Sequence, residues 1–106
     1  MPDPIPIVAT PADISAEDAK LLTLARSVAA RGVGSGAAVR DGMGRTYVAG
    51  PVALTALALT PVQAAVAAAV ASGATDIEAV AVVGVGATVA DLELLAEVGS
   101  PVVHSG

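Results

Sequence analysis

Three stretches of the chain are rich in apolar residues, and in the first of them these residues recur at the spacing of an α-helix. Each stretch follows a hydroxyl residue that can cap the first helical turn, namely Ser15, Thr60 and Thr88. Gln63 and Asp91 lie three residues after the second and third of these, which is the spacing of a capping box. We therefore predict helices over 15–32, 61–72 and 88–99, each with a glycine at or just after its end.

Strand patterns occupy the intervals between the predicted helices. Segments 37–40 and 45–49 flank the turn sequence Asp41-Gly42-Met43-Gly44 and predict a β-hairpin. The run 77–85 is rich in β-branched residues, which indicates a central strand covered on both faces. Segment 101–104 predicts a short last strand, and 51–59, which is apolar without a clear period, is interpreted as a packed connection.

The predicted order of elements, αββαβαβ, indicates a fold class. It fits a mixed sheet in which an antiparallel hairpin is followed by parallel strands joined through right-handed helical crossovers. We expect a three-layer α/β/α sandwich. Four prolines among the first eleven residues disfavour regular hydrogen bonding there, so we divide the chain into a proline-rich arm, 1–14, and one domain, 15–106.

Composition and charge exclude several classes of function. The chain of 106 residues carries a net charge of -5, and its five basic residues are scattered. A nucleic-acid surface needs clustered positive charge and aromatic side chains for stacking, and Tyr47 is the single aromatic residue. With no cysteine and one histidine, the sequence also lacks the usual means for zinc-dependent or thiol-dependent chemistry.

Localisation is predicted from what the first part of the chain lacks. Residues 1–19 contain no lysine or arginine and no continuous apolar run, so we expect neither a secretion signal nor a transit peptide, and a cytoplasmic protein. The longest apolar stretch, 62–71, is about half of the ~20 residues that a membrane-spanning helix needs. We therefore expect no membrane partner.

Several segments together resemble the small cytidine deaminases. Gly36-Ala37-Ala38-Val39 with Asp41-Gly42 is similar to the strand and turn of their hairpin, and 63–73 is similar to their second helix. Segment 92–97 resembles the helix that follows their second pair of cysteines. The resemblance covers about 15–104 and implies the cytidine deaminase-like form of the α/β/α sandwich.

The resemblance also identifies the positions at which such enzymes carry their chemistry. They hold Zn²⁺ through cysteines or a histidine at two helix N-termini, and a glutamate moves protons to and from zinc-bound hydroxide. The ligand positions correspond here to Thr60, Thr88 and Asp91, and the glutamate position corresponds to Val62. The segment that contacts the ribose is Pro51-Val52-Ala53, so Pro51 and Ala53 replace its two polar residues, and Val33 stands where an aromatic residue precedes the hairpin. We expect no catalytic residue, no metal and no cofactor at this vestigial site.

Three other patterns are interpreted without assigning them a catalytic role. Gly84-Val85-Gly86 lacks the third glycine of a dinucleotide-binding loop and predicts a tight turn. Glu93 and Glu97 lie on one helix face and are expected to be solvated. His104 and Ser105 are so near the end of the chain that we expect His104 to be exposed to solvent rather than part of a nucleophilic triad.

Three functions from different classes remain open on the sequence. The first is a non-catalytic cytidine deaminase-like domain that serves as an assembly or binding module. The second is a binder of a nucleoside or another small molecule at the vestigial cleft between Thr60 and Thr88, and the third is a hydrolase with residual or altered activity. Because helix 61–72 is apolar around nearly all of its circumference, we predict a homo-oligomer formed through it. An unidentified protein partner is also possible.

Overall fold

The computed structural model describes residues 8–9 and 14–106, and three helices and seven strands lie in this part of the chain. The helices are α1 (Ala16–Arg31), α2 (Pro61–Ala71) and α3 (Val89–Glu97). The strands are β1 (Val8–Ala9), β2 (Gly36–Asp41), β3 (Thr46–Ala49), β4 (Val52–Ala53), β5 (Ala58–Leu59), β6 (Ile77–Val83) and β7 (Val102–Ser105). The helices, the hairpin and both later strands of the predicted order are present, and β1, β4 and β5 are additional.

The main sheet is mixed and has the strand order β1-β7-β6-β2-β3. Strand β2 pairs antiparallel with both β3 and β6, whereas β7 pairs parallel with β6 and with β1. Strand β6 therefore lies at the centre, as its β-branched composition predicts, although Glu78 within it is exposed. The predicted hairpin and the predicted parallel pair are both present. Antiparallel strands can be joined by a short turn, as β2 and β3 are, whereas parallel strands need a longer crossover such as the one that α3 makes between β6 and β7.

Helices cover both faces of this sheet, which confirms the three-layer α/β/α sandwich. Helices α2 and α3 pack through Val62, Val66 and Leu95 against one face of the sheet, where Val39, Val80, Val82 and Val103 point. On the other face, Leu21, Leu22 and Ala25 of α1 pack against Ala38, Ala79 and Ala81. The side chains of the sheet in both cores are mostly alanine and valine. Because these side chains are small, the helices can pack close to the sheet.

Two connections differ from their predictions. Segment 51–59 is not a packed connection, since β4 and β5 pair with each other as a separate two-stranded ribbon. Its tip is closed by a hydrogen bond of 2.8 Å from the Leu54 amide to the Leu57 carbonyl, so the two strands bond to each other instead of joining the main sheet. Residues 53–58 are consequently exposed, including both leucines at the tip.

Strand β6 ends at Val83, two residues before the predicted end, because the chain turns at Gly84. Gly84 has a φ of +86°, and a β-carbon there would lie 1.9 Å from the Gly34 carbonyl oxygen. Only glycine fits this close approach of two loops.

The predicted arm, 1–14, is described at Val8–Ala9 and at Ile14. Val8 and Ala9 pair in parallel with Val103 and His104, so this short part of the arm does form regular hydrogen bonds. Residues 1–7 and 10–13 of the arm lie outside the part of the chain that the structure describes. Among residues 8–9 and 14–106, no helix combines the length and the apolar character needed to span a bilayer.

Candidate functional site at the N-termini of α2 and α3

Thr60 caps α2 in the way that its sequence context predicts. The Gln63 amide donates to Thr60 Oγ1 at 3.0 Å, and the Thr60 amide donates to Gln63 Oε1 at 2.9 Å. Pro61 follows as the first helical residue, where its missing N–H leaves no donor unsatisfied. The two reciprocal bonds form a complete capping box, which fixes the direction of the Thr60 side chain.

Thr88 and Asp91 form the same arrangement at the start of α3. The Asp91 amide donates to Thr88 Oγ1, and the Thr88 amide donates to Asp91 Oδ2, both at 3.0 Å. The structure therefore confirms the predicted capping role of both residues. The negative charge of Asp91 in the first turn also interacts favourably with the N-terminal end of the helix dipole.

A hydrogen bond between the two caps was not predictable from either motif. The Thr60 hydroxyl donates to Asp91 Oδ1 across a distance of 2.6 Å, and the two residues are 31 positions apart in the chain. Asp91 is only 1% exposed, and each of its carboxylate oxygens accepts a hydrogen bond. Thr60, Thr88 and Asp91 thus form one connected cluster that joins the first turns of α2 and α3, which we call the cap bridge.

The other residues predicted at this site are apolar and differ in their exposure. Val62 is fully buried in the core under α2. The antiparallel register pairs Val52 with Leu59, so Pro51 comes opposite Thr60 in its continuation, whereas Ala53 is exposed farther along the ribbon. Val33, predicted at the position of an aromatic residue, is exposed on the loop before β2.

Comparison with known proteins bears on this arrangement. A family model described as cytidine deaminase-like matches residues 14–105. The chain belongs to the cytidine deaminase-like family. Comparison with curated protein sequences gives no match.

Two solved structures show how far the family likeness extends. The chain is similar to cytidine deaminase from Burkholderia pseudomallei, with 20% identity and a TM-score of 0.69 over 83% of this chain and 80% of that one. It is also similar to cytidine deaminase from Mycobacterium leprae, with 20% identity and a TM-score of 0.65 over 82% of this chain and 84% of that one. At these identities the likeness concerns the fold, and it confirms the cytidine deaminase-like form of the α/β/α sandwich.

The donor atoms at the cap bridge do not fit the zinc ion that a cytidine deaminase-like fold implies. Zinc prefers thiolate and imidazole ligands, and this cluster offers two neutral hydroxyls and one carboxylate. The hydroxyls accept from helix amides, and both oxygens of Asp91 already accept hydrogen bonds. Within residues 8–9 and 14–106 no three His, Cys, Asp or Glu side chains come together as a metal-binding group.

His104 departs clearly from its prediction as an exposed residue near the end of the chain. Its residue is 2% exposed, and its Nε2 lies 2.8 Å from Asp18 Oδ2 on α1. Two facts bury it: β1 pairs along the outer side of β7, and α1 covers the sheet face to which His104 points. Nearness to the end of the chain was a poor guide because the last strand is an interior strand of the sheet.

His104 belongs to a polar network on the opposite face of the sheet from the cap bridge. Asp18 Oδ1 accepts from Arg40 Nη2 at 2.7 Å, and Arg40 Nε donates to Glu78 at 2.9 Å. Burial raises the pKa of the Asp18 carboxyl, but the hydrogen bonds from His104 and Arg40 and the charge of Arg40 outweigh it, so this pKa is lowered. Burial likewise opposes ionisation of Arg40, and its two carboxylate partners raise its pKa above the usual value. The network joins α1 to β2, β6 and β7.

The outer side of α2 is an exposed apolar surface. Ala67, Ala68, Val70 and Ala71 are exposed there. Beside them a groove of about 410 Å³ runs between α2 and α3, lined by Leu59, Gln63, Val66, Ala67, Val70, Leu94, Glu97 and Val98. Glu93 and Glu97 are exposed on α3, as predicted.

Proposed function

We propose that this chain is a non-catalytic cytidine deaminase-like domain that acts as an assembly module. The cap bridge is the observation that carries the proposal. At the positions where the family resemblance places zinc ligands, the chain has threonine and aspartate side chains that are consumed in capping two helices and joining them. These side chains already take part in structural hydrogen bonds, and none of them is the thiolate or imidazole that zinc prefers as a ligand.

The loss of zinc would remove the nucleophile of the deaminase reaction. Zinc lowers the pKa of bound water from about 15.7 to about 7, which supplies hydroxide near neutral pH. The position of the glutamate that transfers protons holds Val62, which is buried and has no ionisable group. At these positions, neither the formation of hydroxide nor the proton transfer to the leaving amine has a suitable group.

The cap bridge also supports assembly over nucleoside binding at the vestigial cleft. A polar ligand gains affinity from buried donors or acceptors that are free to contact it. Both oxygens of Asp91 are already hydrogen-bonded, and the ribose positions hold Pro51 and Ala53, whose side chains form no hydrogen bonds. A nucleoside at this place would meet a carboxylate that already accepts two hydrogen bonds and two side chains that can form none.

The proposed assembly contact is the exposed face of α2, packed against a second copy of the chain. A helix that is apolar on its outer side is normally covered. Alanine at three of the four exposed positions lets another helix approach closely, and no charged side chain on α2 opposes the contact. Ala69, which the apolar pattern alone could place on the outer face, is fully buried, so the outward position suited to testing is Ala68.

An enzyme assay tests whether the chain is non-catalytic. Purified protein incubated with cytidine should release no ammonia above a buffer control, and a thermal-shift screen with nucleosides should leave the melting temperature unchanged. Sustained ammonia release that co-purifies with the chain would instead support the hydrolase alternative. A nucleoside-dependent rise in melting temperature without turnover would support the binding alternative.

Light scattering coupled to size-exclusion chromatography tests the second half. We expect a mass at least twice the 10.1 kDa of one chain. Ala68→Glu should reduce this to the monomer mass, since it would place an unpaired charge in the contact. Ala30→Glu, on the exposed side of α1, is the matched control and should leave the oligomer intact. A monomer at high concentration for the unaltered chain would refute assembly.

A further inference from the structure

In the enzymes that the chain resembles, the zinc ligands lie at two helix N-termini. A zinc ion bound in that way would supply chemistry and would also tie the two helices together. Only the second of these tasks has a replacement in this chain. The cap bridge reaches from the first turn of α2 to the first turn of α3 through the 2.6 Å bond between Thr60 and Asp91. It connects the same two helix ends with side-chain atoms alone.

We infer that the Asp91 carboxylate is a metal-free cross-link that holds α2 and α3 in their relative positions. Its two oxygens accept different hydrogen bonds. Oδ2 accepts from the Thr88 amide and completes the cap of its own helix, while Oδ1 accepts from the Thr60 hydroxyl and reaches the other helix. The acceptor is a carboxylate of a residue that is only 1% exposed, and a charged acceptor in a buried position strengthens a hydrogen bond.

The surroundings show why this bond matters for the packing of the two helices. Helices α2 and α3 contact each other sparingly, and the groove between them opens along Val66, Val70 and Leu94. Helix α2 packs closely on β2 and β3, whereas α3 has no comparably extensive contact with any strand, so the position of α3 depends on few interactions. The cross-link fixes the N-terminal ends of both helices, and Leu95 and Val62 secure the layer below it in the common core.

The inference rests on the proposed function in one respect, namely that no metal occupies this place. The two can fail separately. Zinc bound by the native chain would refute the proposed function, whereas the cross-link is tested by a double-mutant cycle in protein kept in EDTA. The cycle combines Thr60→Val, which removes the hydroxyl but keeps the shape, with Asp91→Ala, which removes both carboxylate oxygens.

Each single variant loses its own cap together with the bond between helices, and the double variant loses that bond only once. We therefore expect non-additivity of about threefold or more in the equilibrium constant for unfolding, within the range for residues in one network. Thr60→Ser keeps the hydroxyl and should behave almost as the unaltered chain. Ser15→Ala combined with Asp91→Ala is the control cycle, because Ser15 caps α1 through the Asp18 amide and shares no partner with Asp91. Additive effects of Thr60→Val and Asp91→Ala would overturn the cross-link.

Hydrogen exchange gives a second test if the double variant does not fold. Asp91→Ala changes α3, but it should accelerate exchange of the Gln63 amide in α2, because that amide donates to the Thr60 hydroxyl oxygen. Thr88→Ala, which damages the α3 cap but leaves the Thr60–Asp91 bond, should affect the Gln63 amide much less. Equal acceleration in both variants, or none in Asp91→Ala, would contradict a link between the helices.

Discussion

Single side chains in this fold carry structural tasks that span several elements, and Asp18 is the clearest case. One carboxylate on α1 contacts His104 on β7 and Arg40 on β2. The residues of β6 between them on that face are Ala79 and Ala81, whose small side chains leave room for it. A pair of alanines at the centre of the sheet thus permits a buried polar network above them.

The lowered pKa of Asp18 predicts a specific dependence of stability on pH. Because the folded-state pKa lies below the ordinary value of 3.8, ionised Asp18 stabilises the fold above that value, and this contribution disappears as pH falls through the folded-state pKa. Asp18→Asn should therefore be destabilised at neutral pH, and its difference from the unaltered chain should shrink in acid. Urea unfolding between neutral pH and pH of about 3 measures this difference.

Glu93→Gln is the control for the Asp18 experiment, because Glu93 is exposed on α3. Its substitution should change stability little at neutral pH. A difference between Asp18→Asn and the unaltered chain that stays constant or grows in acid would show that the network does not depend on an ionised Asp18.

The cap of α3 gives a second prediction for a single residue. Thr88→Ala should lower the free energy of unfolding by about 0.5 to 2 kcal/mol, the usual cost of losing a threonine N-cap. Thr88→Ser retains the oxygen that accepts from the Asp91 amide and should recover most of the loss. Chemical denaturation of both variants measures the effect, and equal stability of Thr88→Ala and the unaltered chain would contradict the capping role.

At the scale of elements, local signals in the sequence were sufficient for the helices and for the central strand. The Thr60-Pro61 start and the Thr88 to Asp91 spacing act within one turn, so a single sequence reveals them. The β4–β5 ribbon escaped prediction because an apolar segment of nine residues was expected to be buried, while its strands satisfy each other at the surface. Local pattern does not report which apolar segments find a place in the core.

The candidate site shows the same boundary between local and distant information. Each cap was predictable, but the bond that joins Thr60 to Asp91 depends on how two helices meet across 31 residues. The burial of His104 depends on β1 and α1, which are both far from it in the chain. The Thr60–Asp91 bond and the burial of His104 both depend on how elements far apart in the chain pack together. Patterns within one sequence do not reveal that packing.

The turns offer a matched test of the close approach between two loops. Gly84 and Gly44 both have a φ of +86°, but a β-carbon at position 84 would meet backbone atoms of Gly34 and Ser35, whereas nothing lies within 4 Å at position 44. Gly44→Ala should cost about 1 to 2 kcal/mol from backbone strain alone. Gly84→Ala should cost clearly more or prevent folding, and similar thermal stability of the two variants would contradict the loop packing.

At the scale of the whole molecule, the chain keeps the architecture of an enzyme family while its polar residues serve structure. On one face of the sheet they cap and join two helices, and on the other they hold α1 in place. The exposed apolar face of α2 is the surface that we propose for contact with another copy. A fold supports many functions, so the residues at the site, and not the architecture, decide between catalysis and assembly.

The zinc content of the purified protein tests this account most directly. The chain should be expressed with zinc in the medium, purified without chelator and measured by elemental analysis beside an active cytidine deaminase prepared in the same way. The account predicts far less than one zinc ion per chain. The positions where the resemblance places zinc ligands hold Thr60, Thr88 and Asp91, and both threonines are hydrogen-bonded to Asp91. About one zinc ion per chain, the content of an intact tetrahedral site, would contradict it.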